Sequence, residues 1–262
     1  MAQYKNTLAF WNAKTINSES NLDLALDNFR ILFAYHSGKI ENTEITYHDT
    51  REIFENGKVL GFSGNPRTLF EQQNQKLCYE FLKQKIVARE ALSEALVLET
   101  HSILTSGTFD ERRYLDNGER PGEYKKHDYV TGRNEVGSPF ESVAEDIAEL
   151  LSEINGYSGK EVLKSAAYFH AAFENIHPFA DGNGRVGRTL MNYYLMTHGH
   201  PPIVIYDEDK VLYYESLEKY DMEETLDPLC RFLQYETERT WQTQFELSNG
   251  QKRQRPNMDQ CR

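Results

Sequence analysis

Residues 161–196 read "EVLKSAAYFHAAFENIHPFADGNGRVGRTLMNYYLM". Apolar residues at helical spacing occupy both ends, and between them, from 177 to 188, the pattern breaks into a histidine, a carboxylate, Gly182, Asn183, Gly184 and two arginines. The flanks predict one helix from Lys160 to Ile176 and another from Asn183 to Thr197, with the crowded segment as a loop feeding the second N-terminus. The same stepping by three and four recurs in "LDLALDNFRILFAYHS" (22–37), at Leu22, Leu26, Phe29 and Phe33. Further helices are expected from Arg67 to Ser106 with a break near Val87 to Glu90, from Phe140 to Glu153, from Asp209 to Tyr220 and from Leu226 to Leu247. The chain therefore reads as all-α.

One stretch does not fit. Residues 107–138, "GTFDERRYLDNGERPGEYKKHDYVTGRNEVGS", carry no helical period and are rich in turn residues, with one β-capable piece, "DYVTG". A small β-hairpin flap projecting from the helical body is the expectation, and so long an irregular insertion is more often functional than idle. The other reading is a plain surface loop.

Composition narrows the class of function. The chain has 262 residues and a formal net charge of -12, so it can bury a core, and it lacks the clustered Lys and Arg that a nucleic-acid surface needs. Cys78, Cys230 and Cys261 are far apart and odd in number, which fits reduced thiols in a cytoplasm. No run of about 18 apolar residues could span a bilayer, so no membrane partner is expected.

The chemistry of the loop can be argued from its residue types. A helix N-terminus offers unsatisfied N–H groups and the positive end of the dipole, and flanking glycines let the backbone approach a phosphate. Arg185 and Arg188 lie three apart and can converge on one polyanion. Asp181 beside such a nest makes sense if a divalent cation lies between carboxylate and phosphates, which is how Mg²⁺ is habitually held. His177 can accept a proton near neutral pH. Taken singly, each feature has an ordinary reading: Gly-Asn-Gly as turn chemistry, Phe179 as core, His177 and Asp181 as a solvated pair. Together they are the parts of nucleotide-phosphate transfer.

"HPFADGNGRVGR" resembles the Fic family signature, H-P-F-x-[D/E]-G-N-G-R-x-x-R, at every fixed position. The likeness extends to "PGEYKKHDYVTG" (121–132), similar to the family's flap, and to "GHPPIVIYDEDKVLYYESLEKYD" (199–221), similar to the segment that closes its adenine pocket. The resemblance implies a Fic-type helical bundle that transfers AMP from ATP to a Tyr, Thr or Ser hydroxyl of a target protein, and to itself. By it, His177 is the base, Asp181 holds Mg²⁺, and Gly182, Asn183 and Gly184 line the anion hole. Arg185 neutralises the leaving pyrophosphate, Arg188 grips the γ-phosphate and Phe179 packs inward. Gly184, where a related branch of kinases carries lysine, favours AMP transfer over phosphate transfer. Tyr214, Leu217 and Asp221 fall where relatives contact adenosine, with Asp221 in place of an expected asparagine; helical core packing is the competing reading for this segment. In the flap, Tyr129, Val130 and Thr131 are expected to pair with an extended target segment by strand addition. Self-association is common in the family.

"SGKIEN" (37–42) resembles the family's inhibitory motif, [S/T]-x-x-x-E-[G/N], carried here by Ser37, Glu41 and Asn42. Ser37 and Glu41 share a helix face, and a bidentate Glu41–Arg188 pair would deny that arginine to the γ-phosphate. The organisation expected is an N-terminal helical region (1–66) carrying this motif, a catalytic core (67–247) and a polar tail (248–262). Two alternatives stay open: removal of AMP by the same site, and a non-catalytic nucleotide-binding module.

Overall fold

The computed structural model describes residues 2–41, 44–130 and 137–253. Among them the chain forms α1 (Ala2–Asn12), α2 (Glu19–Ala25), α3 (Asp27–Glu41), α4 (Tyr47–Asn56), α5 (Pro66–Ala88), α6 (Glu94–Leu104), α7 (Val143–Gly156), α8 (Val162–Ile176), α9 (Asn183–Thr197), α10 (Lys210–Glu223) and α11 (Asp227–Arg253). None of the described helices is long and apolar enough to cross a membrane.

Local chemistry sets the boundaries. The expected break after Val87 falls where Arg89 takes a left-handed conformation (φ 53°) and Ser93 caps the next helix, its side chain accepting the Leu96 N–H. Asn65 caps α5 in the same way ahead of Pro66 at the first turn. The periodic run from Leu22 is split at Leu26, whose backbone leaves helical geometry (φ -106°, ψ 10°) between α2 and α3.

α9 is the centre of the fold. Every residue from Arg185 to Leu195 is buried, with α8, α3, α5 and α6 packed around it. A helix buried on all sides must satisfy its polar side chains internally. Asn192 does so by donating to the Ile203 carbonyl at 2.9 Å and accepting the Ile203 N–H at 2.7 Å, which fixes the buried segment 203–205 against the helix. The N-terminal helices join the same core: Trp11 and Phe29 pack on Trp241 of α11, with ring centroids 5.0 and 6.0 Å apart.

The all-α expectation holds, and the hairpin does not: no strand occurs among the described residues, and residues 131–136 lie outside them. The reason is a buried carboxylate. Glu119, 1% exposed, accepts the Lys126 N–H at 3.0 Å and the Tyr129 hydroxyl at 2.8 Å, and His127 Nδ1 lies 3.1 Å away. Other loop donors turn to the helical body, Lys125 N–H to the Pro178 carbonyl and Gly122 N–H to His101. The backbone donors of Gly122, Lys125 and Lys126 are thereby committed away from strand pairing.

Candidate active site

The loop between α8 and α9 begins and ends on positive φ. His177 caps α8 in the left-handed region (φ 51°), and Gly182 (φ 84°) turns the chain into α9. Asn183, the first residue of α9, staples the turn: its carbonyl oxygen accepts the Phe179 N–H at 2.9 Å and its amide donates to the Phe179 carbonyl at 2.8 Å. The same amide nitrogen lies 3.2 and 3.1 Å from the two ring nitrogens of His177. Phe179 is fully buried and stacks on His101, centroids 3.6 Å apart at 4°. His101 Nδ1 accepts the Gly122 N–H, so its proton sits on Nε2, which donates to the Asp181 carbonyl at 3.1 Å. Burial drives its pKa down to about 4, so this neutral tautomer persists at pH 7 and ties the 117–130 loop to the motif.

His177 is neutral for related reasons. Burial first, and then the charge of Lys125, lower its pKa to about 4, leaving a ring able to accept a proton. It faces a cavity of about 550 Å³, bordered also by Asp181, Gly184, Arg67, Arg113, Glu41, Tyr129 and Val130. Two of the expected flap residues thus reach the site; Thr131, like Asn42 of the inhibitory motif, lies outside the described residues. Val130 is 70% exposed.

The two arginines do not converge on one point. Arg185, buried, directs Nη1 to Glu71 Oε1 at 3.2 Å, with its other branch 3.6 Å from Asp181. Arg188, 1% exposed, donates from Nη2 to Glu41 Oε1 at 2.7 Å and to the Ser37 carbonyl at 3.2 Å, and from Nε to Ser37 Oγ at 3.1 Å. The Glu41 contact therefore uses one carboxylate oxygen rather than the expected fork, because Ser37 occupies Nε. Burial opposes charge on Glu41, but the Arg188 charge and hydrogen bond outweigh it and hold the carboxyl below its ordinary value. Gly184 makes room for this pair: a Cβ there would stand 2.5 Å from Glu41 Oε1 and 2.8 Å from Arg188 Nη1.

Asp181 offers one carboxylate at the mouth of the glycine turn, beside the α9 N-terminus. That donor set fits the magnesium habit of one carboxylate completed by phosphate oxygens and water. On α10, Tyr214, Leu217 and Asp221 are spaced along one face; Leu217 is buried, Tyr214 is 43% exposed, and Asp221 accepts from Asn175 Nδ2 at 2.9 Å. Burial raises the Asp221 pKa. The residues that sequence reasoning missed are His101, Glu71 and Arg67. An Asn65-Pro66 cap signal places Arg67 in a first helical turn, yet nothing local places that turn over Asp181.

Residues 91–195 match the Fic/DOC family. The chain carries a Fic domain over these residues. The protein adenylyltransferase Fic of Drosophila persimilis is 30% identical to this chain over 215 residues, covering 79% of it and 39% of the relative. The protein adenylyltransferase fic-1 of Caenorhabditis briggsae is 28% identical over 212 residues, 77% of this chain and 38% of the relative. The chain thus spans about two-fifths of the length of these curated relatives. Among solved structures, a Fic-domain-containing signalling protein from Bacteroides thetaiotaomicron superposes with a TM-score of 0.81 at 24% identity, covering 95% of this chain and 97% of that one. Fic-1 from Caenorhabditis elegans gives 0.75 at 24% identity, covering 95% and 74%. Both structures share the fold described above.

Proposed function

We propose that this Fic domain is a protein adenylyltransferase, moving AMP from ATP to a hydroxyl side chain of a target protein and of itself, and that Glu41 restrains it. One cavity unites a neutral His177, the Asp181 carboxylate and the dipole-bearing end of α9, and that juxtaposition supports this reaction over simple nucleotide binding. His177 takes the proton of the attacking hydroxyl, whose oxygen forms a bond to the α-phosphorus as the bond to the bridging oxygen breaks and pyrophosphate leaves. The N–H groups at Gly182 to Gly184 and the Arg185 guanidinium stabilise negative charge on the phosphates. Magnesium held by Asp181 would neutralise phosphate charge. Tyr214, Leu217 and Asp221 are assigned to adenosine, and Tyr129 and Val130 to the approaching target segment. The free thiols of Cys78 and Cys230 suit a reducing cytoplasm.

Arg188 is the proposed seat of the γ-phosphate, and Glu41 already holds it. A restrained wild type, a more active Glu41→Gly and an inactive His177→Ala are the outcomes expected for labelled AMP incorporated into protein. Equal incorporation by wild type and Glu41→Gly refutes the restraint. The reverse reaction is a second reading because Glu41 borders the same cavity as His177, where it could orient water. Incubating wild type with an AMP-modified protein and no ATP separates the two, since only the reverse reaction releases AMP.

A further inference from the structure

The metal carboxylate has a partner that no motif predicts. Arg67, in the first turn of α5, donates from Nη2 to Asp181 Oδ2 at 2.5 Å and from Nε to Glu71 Oε1 at 2.9 Å. Glu71 is nearly fully buried and also meets Arg185 at 3.2 Å, so one carboxylate fixes both guanidinium groups. A planar fork anchored on one arm by a buried acid presents its other arm in a fixed direction. Here that direction is the one oxygen of Asp181 not facing Arg185.

We propose that Arg67 is a resident counter-ion of Asp181: it stands where a divalent cation would stand, and the cation must displace it to bind. The inference rests on the reading of Asp181 as the metal carboxylate. It adds a second restraint to the Fic site, at the metal rather than at the γ-phosphate, and gives Glu71 a task, which is to keep the displaced Arg67 beside the phosphates.

A carboxylate cannot give the same oxygen fully to a guanidinium and to a metal, so removing Arg67 should strengthen metal binding. The pair is partly solvated, with side chains 31% and 18% exposed. A contact of that kind is worth at most about 1 kcal/mol, or on the order of fivefold in affinity.

The test is Mn²⁺ binding to the full chain in the presence of a non-hydrolysable α,β-methylene ATP, followed by electron paramagnetic resonance, with melting temperatures to confirm folding. Arg67→Gln should bind Mn²⁺ about fivefold more tightly than wild type. Arg67→Lys keeps the charge but loses the fork, and should fall between the two. Arg113→Gln removes a charge from the same cavity without touching Asp181, since Arg113 pairs with Asp110, and should leave the affinity unchanged. Unchanged or weaker Mn²⁺ binding by both Arg67 variants overturns the proposal, as does equal tightening by Arg113→Gln. Loss of Mn²⁺ binding in Asp181→Asn supports the metal role on which it depends; binding that survives Asp181→Asn overturns both. If tightening occurs but no AMP transfer is found for any variant, the proposed reaction fails and the counter-ion role stands.

Discussion

Replacing Glu41 with glycine should weaken the apo protein and strengthen its grip on ATP, two effects of one broken ion pair. In the resting structure Arg188 is 1% exposed and bonds to Ser37 Oγ, the Ser37 carbonyl and Glu41, the last of which supplies a charge. An uncompensated buried guanidinium costs about 3–5 kcal/mol, but the Glu41 side chain is 36% exposed and Ser37 stays bonded, so solvent screening reduces the loss to about 1–2 kcal/mol. For a domain of this size that corresponds to a melting temperature lower by a few degrees. The same energy no longer opposes a γ-phosphate at Arg188, which translates into ATP affinity about 5- to 30-fold tighter. Calorimetric titration of Mg²⁺·ATP into His177→Ala and into His177→Ala with Glu41→Gly measures this without turnover, and melting curves with and without nucleotide measure the rest. The depressed Glu41 pKa sets the pH range: the pair's contribution is complete above the ordinary carboxyl value of 4.5 and is lost only as pH falls through the depressed one. It therefore persists at neutral pH. Identical ATP affinity in the two proteins, with an unchanged apo melting temperature, would refute the reasoning.

Two further outcomes follow from particular contacts. Gly182→Ala combines a φ of 84° with a Cβ 2.6 Å from Thr105 Cγ2, and should cost about 2–4 kcal/mol and abolish nucleotide binding; Gly118→Ala, at φ 67° with open space around it, should cost only the conformational share. Equal losses in urea unfolding would show that close approach is not what Gly182 provides. Glu236, fully buried with Oε2 lacking a hydrogen-bond partner among the described residues, has its pKa pushed up to about 8, first by burial. A raised folded pKa means stability complete below 4.5 and lost as pH climbs to about 8, at no more than about 1.4 kcal/mol per pH unit. Glu236→Gln should therefore gain on wild type across that window, and parallel stability profiles would contradict it.

The loop error shows where sequence reasoning stops. Tyr129 and Val130 favour strand in the abstract, but Glu119 takes the Lys126 N–H and the Tyr129 hydroxyl and folds the segment around itself, and a buried acid ten residues upstream leaves no periodic signal. Helix ends behaved otherwise: Asn65, Ser93 and Arg89 act on neighbours within one turn, and the expected start near Arg67 and break near Val87 to Glu90 fall where those caps stand. The site divides along the same line. His177 to Arg188 are contiguous, and their chemistry was legible as a set. His101, Glu71 and Arg67 reach the motif from 78 to 114 residues away, and each is an ordinary helical residue until the fold closes.

By itself the sequence determined that this chain is helical, that a glycine-flanked helix N-terminus carries a base, a carboxylate and two arginines, and that a glutamate four residues after Ser37 shares its face. These are consequences of backbone period and local hydrogen bonding, which act over a few residues. The Glu41–Arg188 pair was expected from the motif resemblance, but only the tertiary structure decided that it uses one carboxylate oxygen, that Arg185 meets Glu71 and that Arg67 meets Asp181. Charges brought into a low-dielectric interior must be paired with whatever the packing brings within about 3 Å, and packing joins residues that the sequence holds far apart.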